Sequence, residues 1–195
     1  MERRTLDPDQ VISHARHYYS AFLSQMGDLM ARPRTTTHDR WSPPPVNVVK
    51  INFDGALFVN EGESGIGVVA HDSAGSCLAW LSHGLPNCLS PELVEAKAAR
   101  EALSMAQRLH WRRIILEGDC LPLLQKLKSL REDYSATGPI TSDIFHILSV
   151  FNCVSFSFIK RSGNSVAHSL ARTSFGLQGV GDLPPTALAY LLSVL

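Results

Sequence analysis

Three acids, Asp54, Glu95 and Asp119, stand where secondary structure would aim carboxylates at a common point. Around Asp54, Val49, Ile51 and Phe53 take one side of a strand, and Lys50, Asn52 and Asp54 take the other. A polar group closing such a strand is where sites on sheets of this kind tend to lie. Glu95 belongs to a helical stretch whose solvated stripe is Lys97, Glu101, Ser104 and Arg108. It is off that stripe and in line with Ala98, Ala102, Met105 and Leu109, an apolar face. A carboxylate among alanines on a core-facing stripe needs a partner or a metal. In the first helical turn it can instead stay wet near the positive end of the dipole, and periodicity leaves the two readings level. Asp119 closes a third element, with Glu117 two residues earlier on the same side. It could equally cap the helix that follows. Each acid alone is weak evidence. Together, three carboxylates at the ends of adjacent elements suit hard cations such as Mg²⁺ or Mn²⁺.

The elements that must position them can be read from turns and periods. Residues 5–31 have helical spacing (Val11, Ala15, Tyr18, Phe22), with Asp7 and Pro8 at the start. The division along the chain is an N-terminal helical extension over 1–31, a Pro-rich linker over 32–45, a catalytic-type domain over 46–178 and a C-terminal segment over 179–195. Within that last segment, residues 184–195 read as an apolar helix. In the domain, Val46–Asp54, Gly65–Asp72 and Ser76–Leu85 read as strands joined by short polar turns, an antiparallel meander. Ser90-Pro91-Glu92 opens a helix to about Leu109, with Ser as cap, Pro at the first position and an acid in the first turn. A buried strand over Arg113–Asp119, a helix from Pro122 to about Leu130, a helix over Ile140–Phe151, a strand over Val154–Lys160 and a helix capped by Asn164 to about Phe175 follow. Three meander strands followed by crossovers imply an α/β fold with helices on the faces of a mixed sheet.

Five blocks of sequence carry a resemblance. Lys50-Ile51-Asn52-Phe53-Asp54-Gly55-Ala56 resembles the opening strand of type 1 ribonuclease H domains, in the branch found in plant proteins related to non-LTR retroelement reverse transcriptases. Trp41-Ser42-Pro43-Pro44 resembles that branch's lead-in, and Gly65-Ile66-Gly67-Val68-Val69-Ala70-His71-Asp72 with Gly75 its second strand and turn. Ser90-Pro91-Glu92-Leu93-Val94-Glu95-Ala96-Lys97-Ala98 is similar to the helix with the second acid, and Leu116-Glu117-Gly118-Asp119-Cys120 to the strand with the third. Arg161-Ser162-Gly163-Asn164-Ser165-Val166-Ala167-His168-Ser169-Leu170-Ala171 resembles the closing loop and helix.

The resemblance implies a ribonuclease H-like fold: a five-stranded mixed sheet, a three-strand antiparallel meander plus parallel strands, flanked by helices. It implies cleavage of the RNA strand of RNA–DNA hybrids by a pair of Mg²⁺ or Mn²⁺ ions about 4 Å apart. Asp54, Glu95 and Asp119 would be the metal ligands, with Asp54 bridging. His168 stands where type 1 enzymes usually carry a fourth acid, and it would act as a neutral ligand or a proton shuttle. A nitrogen ligand favours Mn²⁺ over Mg²⁺ relative to a carboxylate, which predicts higher activity with Mn²⁺. The His-bearing loop that precedes this helix in many active enzymes is replaced by Lys160-Arg161-Ser162-Gly163. Asn52, Gly55 and Arg161 are candidate nucleic-acid contacts, the first two at the RNA 2′-hydroxyl and Arg161 at phosphate. Asn164 is a further candidate contact, with helix capping as its ordinary role.

Composition sets limits. A net charge of zero gives no bulk attraction to nucleic acid, so a local basic face or bound cations must supply it. Arg112, Arg113, Lys126 and Lys128 read as ordinary solvated charges more readily than as a duplex track. No apolar run reaches the roughly 20 residues of a membrane span, and Met1–Asp7 lacks the apolar core of a secretory signal. Cys77, Cys88, Cys120 and Cys153 are too scattered for a zinc site or a disulfide framework, which fits a reducing compartment, nucleus or cytoplasm. Three functions remain compatible: an active hybrid endonuclease, a nucleic-acid-binding module that has lost useful catalysis, and a scaffold whose terminal helices dock partners.

Overall fold

The computed structural model describes residues 40–129, 133–173 and 177–181. The expected helix over 5–31, most of the 32–45 linker and the apolar tail helix lie outside the described residues. Element order is β1 (Val49–Phe58), β2 (Glu63–His71), β3 (Cys77–Pro86), α1 (Pro91–Arg108), β4 (Arg113–Gly118), α2 (Leu121–Ser129), α3 (Gly138–Leu148), β5 (Cys153–Phe158), α4 (Ser165–Thr173) and β6 (Leu177–Val180). The sheet has six strands rather than the expected five, in the order β5-β4-β1-β2-β3-β6. β1, β2 and β3 form the antiparallel meander, β4 and β5 add in parallel, and β6 pairs antiparallel with β3 as an edge. β6 runs past the 178 boundary drawn from sequence.

Local chemistry explains the turns. The Asp72 carboxylate accepts from the backbone of Ala74 at 2.8 Å and Ser76 at 2.9 Å, and Gly75 takes a positive φ of 80° that an L side chain resists. α1 starts as read: the Ser90 hydroxyl accepts from the Leu93 amide, with Pro91 in the first position.

Strand alternation sorts the side chains into two layers. Ile51, Phe53, Ile66 and Val68 pack with Ala98, Ala99 and Ala102 of α1 and with Leu124, Leu127 and Ile144 of α2 and α3. On the other face Val69 and Trp80 pack with Ala167 and Leu170 of α4. α4 lies directly on β2 because Gly67 has no side chain: a Cβ there would stand 2.0 Å from the Ala167 carbonyl oxygen and 2.4 Å from the Ala171 nitrogen. Both obstacles are backbone. Gly67→Ala should therefore cost about 3 kcal/mol, the upper part of the overpacking range. Urea unfolding measures it, and a loss below about 1 kcal/mol would mean that α4 slides without penalty.

Candidate active site

The β1–β4 register ends at the pair Asn52 and Glu117, whereas β1 continues to Phe58 against β2. Asp54 is thus mid-strand rather than at a strand end as its sequence position implied, because the hairpin with β2 outlasts the pairing with β4. Asp119, the first residue beyond β4, lies level with it by extension of the same register. The sheet splits here, and the split is the site. Glu95 enters from the first turn of α1, which presses against β1 at Gly55: a Cβ on that glycine would meet the Val94 side chain at 2.7 Å and the Glu95 amide nitrogen at 3.1 Å. One carboxylate oxygen from each of Asp54, Glu95 and Asp119 lies within 4.8 Å of the others.

Burial settles the choice that periodicity left open for Glu95. It is 9% exposed and sits on the same face as the fully buried Ala98 and Ala102, so it does not stay wet. Asp54 is fully buried. Asp119 does not cap α2, since its Oδ2 accepts from Arg161 Nε at 3.1 Å. The neighbouring Glu117 is excluded from the cluster, paired with Lys50 at 3.2 Å. Confinement raises the affinity of Asp54 and Glu95 for protons. Burial pushes the Asp54 carboxyl up to about 6 against the pull of a hydrogen bond with His168, and the charge of Asp119 adds to the rise. Burial, followed by the charges of Asp54 and Asp119, pushes Glu95 up to about 9, opposed by the Gly55 amide and Arg161. Buried oxygens of all three acids (Asp54 Oδ1, Glu95 Oε2 and Asp119 Oδ1) have no protein partner. Orphaned carboxyl oxygens converging from three elements are the donor set a hard divalent cation requires once they lose their protons.

His168, on the inner face of α4, places Nδ1 2.7 Å from Asp54 Oδ2. An ionised carboxylate can only accept, so Nδ1 then carries the proton and donates. The histidine orients Asp54. Beside the acids is a cleft of about 280 Å³ lined by Gly55, Pro91, Glu95, Arg161, His168 and Arg172.

The other residues singled out in the sequence divide. Gly55 lines the cleft, but its amide is spent on Glu95. Arg161 is exposed at the mouth. Asn52 and Asn164, expected at substrate, are 3% and 1% exposed and bond internally. Asn52 Nδ2 donates to Glu117 Oε1 and Asn164 Oδ1, both at 3.1 Å, and Asn164 Nδ2 donates to the Phe53 carbonyl at 2.9 Å. Asn164 precedes α4 but its side chain clamps the helix to β1 instead of capping it. Arg172 was overlooked; its spacing of four from His168, one helical turn along the same face, was the available signal. Arg112 donates to the Val150 carbonyl, and Lys126 to Asp133 and Thr137.

Residues 52–174 match the model of a family described as reverse transcriptase-like. The chain belongs to the reverse transcriptase-like family. The match contains Asp54, Glu95, Asp119 and His168. Among solved structures, this reverse transcriptase-like domain is similar to ribonuclease H1 of the halophilic archaeon Halobacterium salinarum (23% identity, TM-score 0.58, covering 65% of this chain and 96% of that one). It is also similar to the N-terminal ribonuclease H domain of a Mycobacterium tuberculosis protein (17% identity, TM-score 0.60, 76% and 99% covered). A third is LC11 ribonuclease H1, isolated from compost and solved in complex with an RNA/DNA hybrid (22% identity, TM-score 0.59, 65% and 95% covered). At these identities the likeness shows the fold, which is ribonuclease H-like. No curated protein matches the chain.

Proposed function

We propose that this reverse transcriptase-like domain is a divalent-metal-dependent endonuclease that cuts the RNA strand of RNA–DNA hybrids. The observation that carries the reading is the convergence of unpartnered, buried oxygens from Asp54, Glu95 and Asp119 at the split between β1 and β4. These three residues would hold Mg²⁺ or Mn²⁺, which lowers the pKa of an attacking water and offsets charge on the leaving oxygen. Asp54 provides the central charge, and His168 fixes its rotamer through the 2.7 Å bond. Arg161 and Arg172, at the rim of the cleft, present guanidinium groups to the phosphates that bulk charge does not attract. Four scattered cysteines suit a reducing compartment, and the location that fits this reading is the nucleus or cytoplasm. No helix of the described residues is long and apolar enough to cross a membrane.

The test is cleavage of an end-labelled RNA–DNA hybrid in Mg²⁺, in Mn²⁺ and in EDTA. The expected result is cation-dependent cutting of the RNA strand alone. A hybrid that binds but is not cut would favour the second reading, a binding module, for which His168 at the fourth acid's place is the specific observation. The expected preference for Mn²⁺ assumed that His168 ligates a cation. With Nδ1 on Asp54, the other ring nitrogen, Nε2, stays free to ligate, so a preference for Mn²⁺ remains the expected result, and similar rates in the two cations would keep His168 off the metal. His168→Ala should lower cation-dependent activity about 10–100-fold, the range for removing a group that orients a ligand. Wild-type rates in that variant would show that Asp54 holds its place unaided.

A further inference from the structure

We propose that Trp41, in the segment preceding β1, is a positioning residue for the carboxylate site. The proposal rests on the metal reading above only for its two cation measurements. The Trp41 indole Nε1 donates to Asn52 Oδ1 at 2.9 Å, and Lys50 Nζ, 5.5 Å from the Trp41 ring, donates to the Ser42 carbonyl at 2.7 Å. The ring also lies 4.8 Å from that of His71. The stretch read from sequence as linker is therefore built into the layer beneath the site.

Its effect follows from donor and acceptor polarity. An indole nitrogen only donates, so Asn52 must turn its oxygen toward Trp41 and its amide nitrogen toward Glu117 and Asn164. Asn164 must then offer its oxygen to Asn52 and its nitrogen to the Phe53 carbonyl, the atom next in the backbone to Asp54. The Asn164 carbonyl also accepts from the His168 amide in the first turn of α4. The indole N–H, together with the acceptor-only Glu117 carboxylate and Phe53 carbonyl, fixes the orientation of two buried amides that run to Asp54 and His168. Removing it leaves a buried Asn52 oxygen without its partner and loosens the network at its Trp41 end.

In the full chain, Trp41→Phe retains one ring beside His71 and removes the donor with the second ring of the indole. The expected result has three parts. The melting temperature in EDTA falls by a few degrees, as the unpartnered Asn52 oxygen requires. The side-chain amide resonances of Asn52 and Asn164 and the ring resonances of His168 shift. Mn²⁺ affinity, read from the cation-induced rise in Tm, falls about tenfold, as for loss of a group that orients a ligand. A lowered Tm with wild-type resonances and wild-type Mn²⁺ affinity means Trp41 is only a filler, and overturns the proposal. If the wild type takes up no Mn²⁺, the metal reading fails by itself, and the His168 and Asn164 resonances alone decide: shifted they sustain the positioning role, unmoved they overturn it. Should Trp41→Phe not fold, the wild type decides through the Trp41 indole N–H resonance on Mg²⁺ titration. Movement supports coupling to the site and constancy refutes it.

Discussion

Asp54→Asn should reduce cation-dependent cleavage of an RNA–DNA hybrid by on the order of 10³ or more while leaving the fold intact. The magnitude comes from the several kcal/mol of charge stabilisation a bound cation supplies, at tenfold per 1.36 kcal/mol. Asp54 is chosen over its neighbours because its surroundings leave no substitute. It is fully buried at the split in the sheet, one oxygen is taken by His168 and the other is unpartnered. Asparagine matches it in shape but halves its acceptors and removes its charge. The fold should survive, because the same substitution relieves repulsion with Asp119 and Glu95. The measurement is single-turnover cutting of labelled hybrid beside thermal melts of both proteins in EDTA. Residual cutting at the wild-type rate would locate the activity elsewhere. Loss of cutting together with loss of fold would show only that Asp54 is structural, and the equal or higher metal-free Tm expected for Asp54→Asn separates these outcomes.

The parts of this site that could be read in the sequence are those with local periodicity. Glu95 on an alanine face and Asp54 opposite Ile51 and Phe53 are statements about periods of 3.6 and 2, and the buried alanines of α1 and the packing of Ile51 and Phe53 in the core bear them out. The meander and the start of α1 were legible because turn and cap chemistry is local. What was lost is set by pairing between distant segments. Nothing local shows that β1 outlasts its pairing with β4, so Asp54 was placed at a strand end. β6 is four residues long and gains its ladder from β3, nearly a hundred positions earlier, so it has no period to detect. In the sequence Asn52 is a candidate contact for the 2′-hydroxyl, and Asn164 is a helix cap or a further contact. Only the fold shows that they satisfy each other across 112 positions. Trp41 was placed in a linker on the strength of the prolines beside it, yet it supplies a donor that the buried network requires.

Between about pH 6.5 and 8 the metal-free protein should lose stability as pH rises, and Mg²⁺ or Mn²⁺ should abolish most of that loss. The sign follows from which state holds the protons. The carboxyls of Asp54 and Glu95 are pushed up to about 6 and about 9 from 3.8 and 4.5, so the folded chain keeps protons that the unfolded chain has released. Stability from such groups is fully present below the unfolded values and drains away as pH rises through the folded ones, by up to about 1.4 kcal/mol per pH unit for each proton. The window avoids opposing groups. Asp133, pushed up by burial but held well below its ordinary range by bonds from Lys126, Ser135 and Thr137, loses its contribution only in acid. His71, lowered by burial, matters below its ordinary value of 6.5. Cys120 and Cys153, raised by burial, add to the loss only as thiols of the unfolded chain ionise, near 9. Over 6.5–8, Glu95 dominates. A cation competes for the same oxygens and gains as they deprotonate. At a hundredfold excess over Kd it contributes about 2.7 kcal/mol, or roughly 5–10 °C in Tm for a chain of this size. Melts at pH 6.5, 7.2 and 8, with EDTA and with each cation, test this directly. A flat metal-free profile would mean that Glu95 is ionised and solvated. A falling profile that cations do not correct would leave the acids as a strained cluster with no affinity for metal, and would remove the basis for the nuclease.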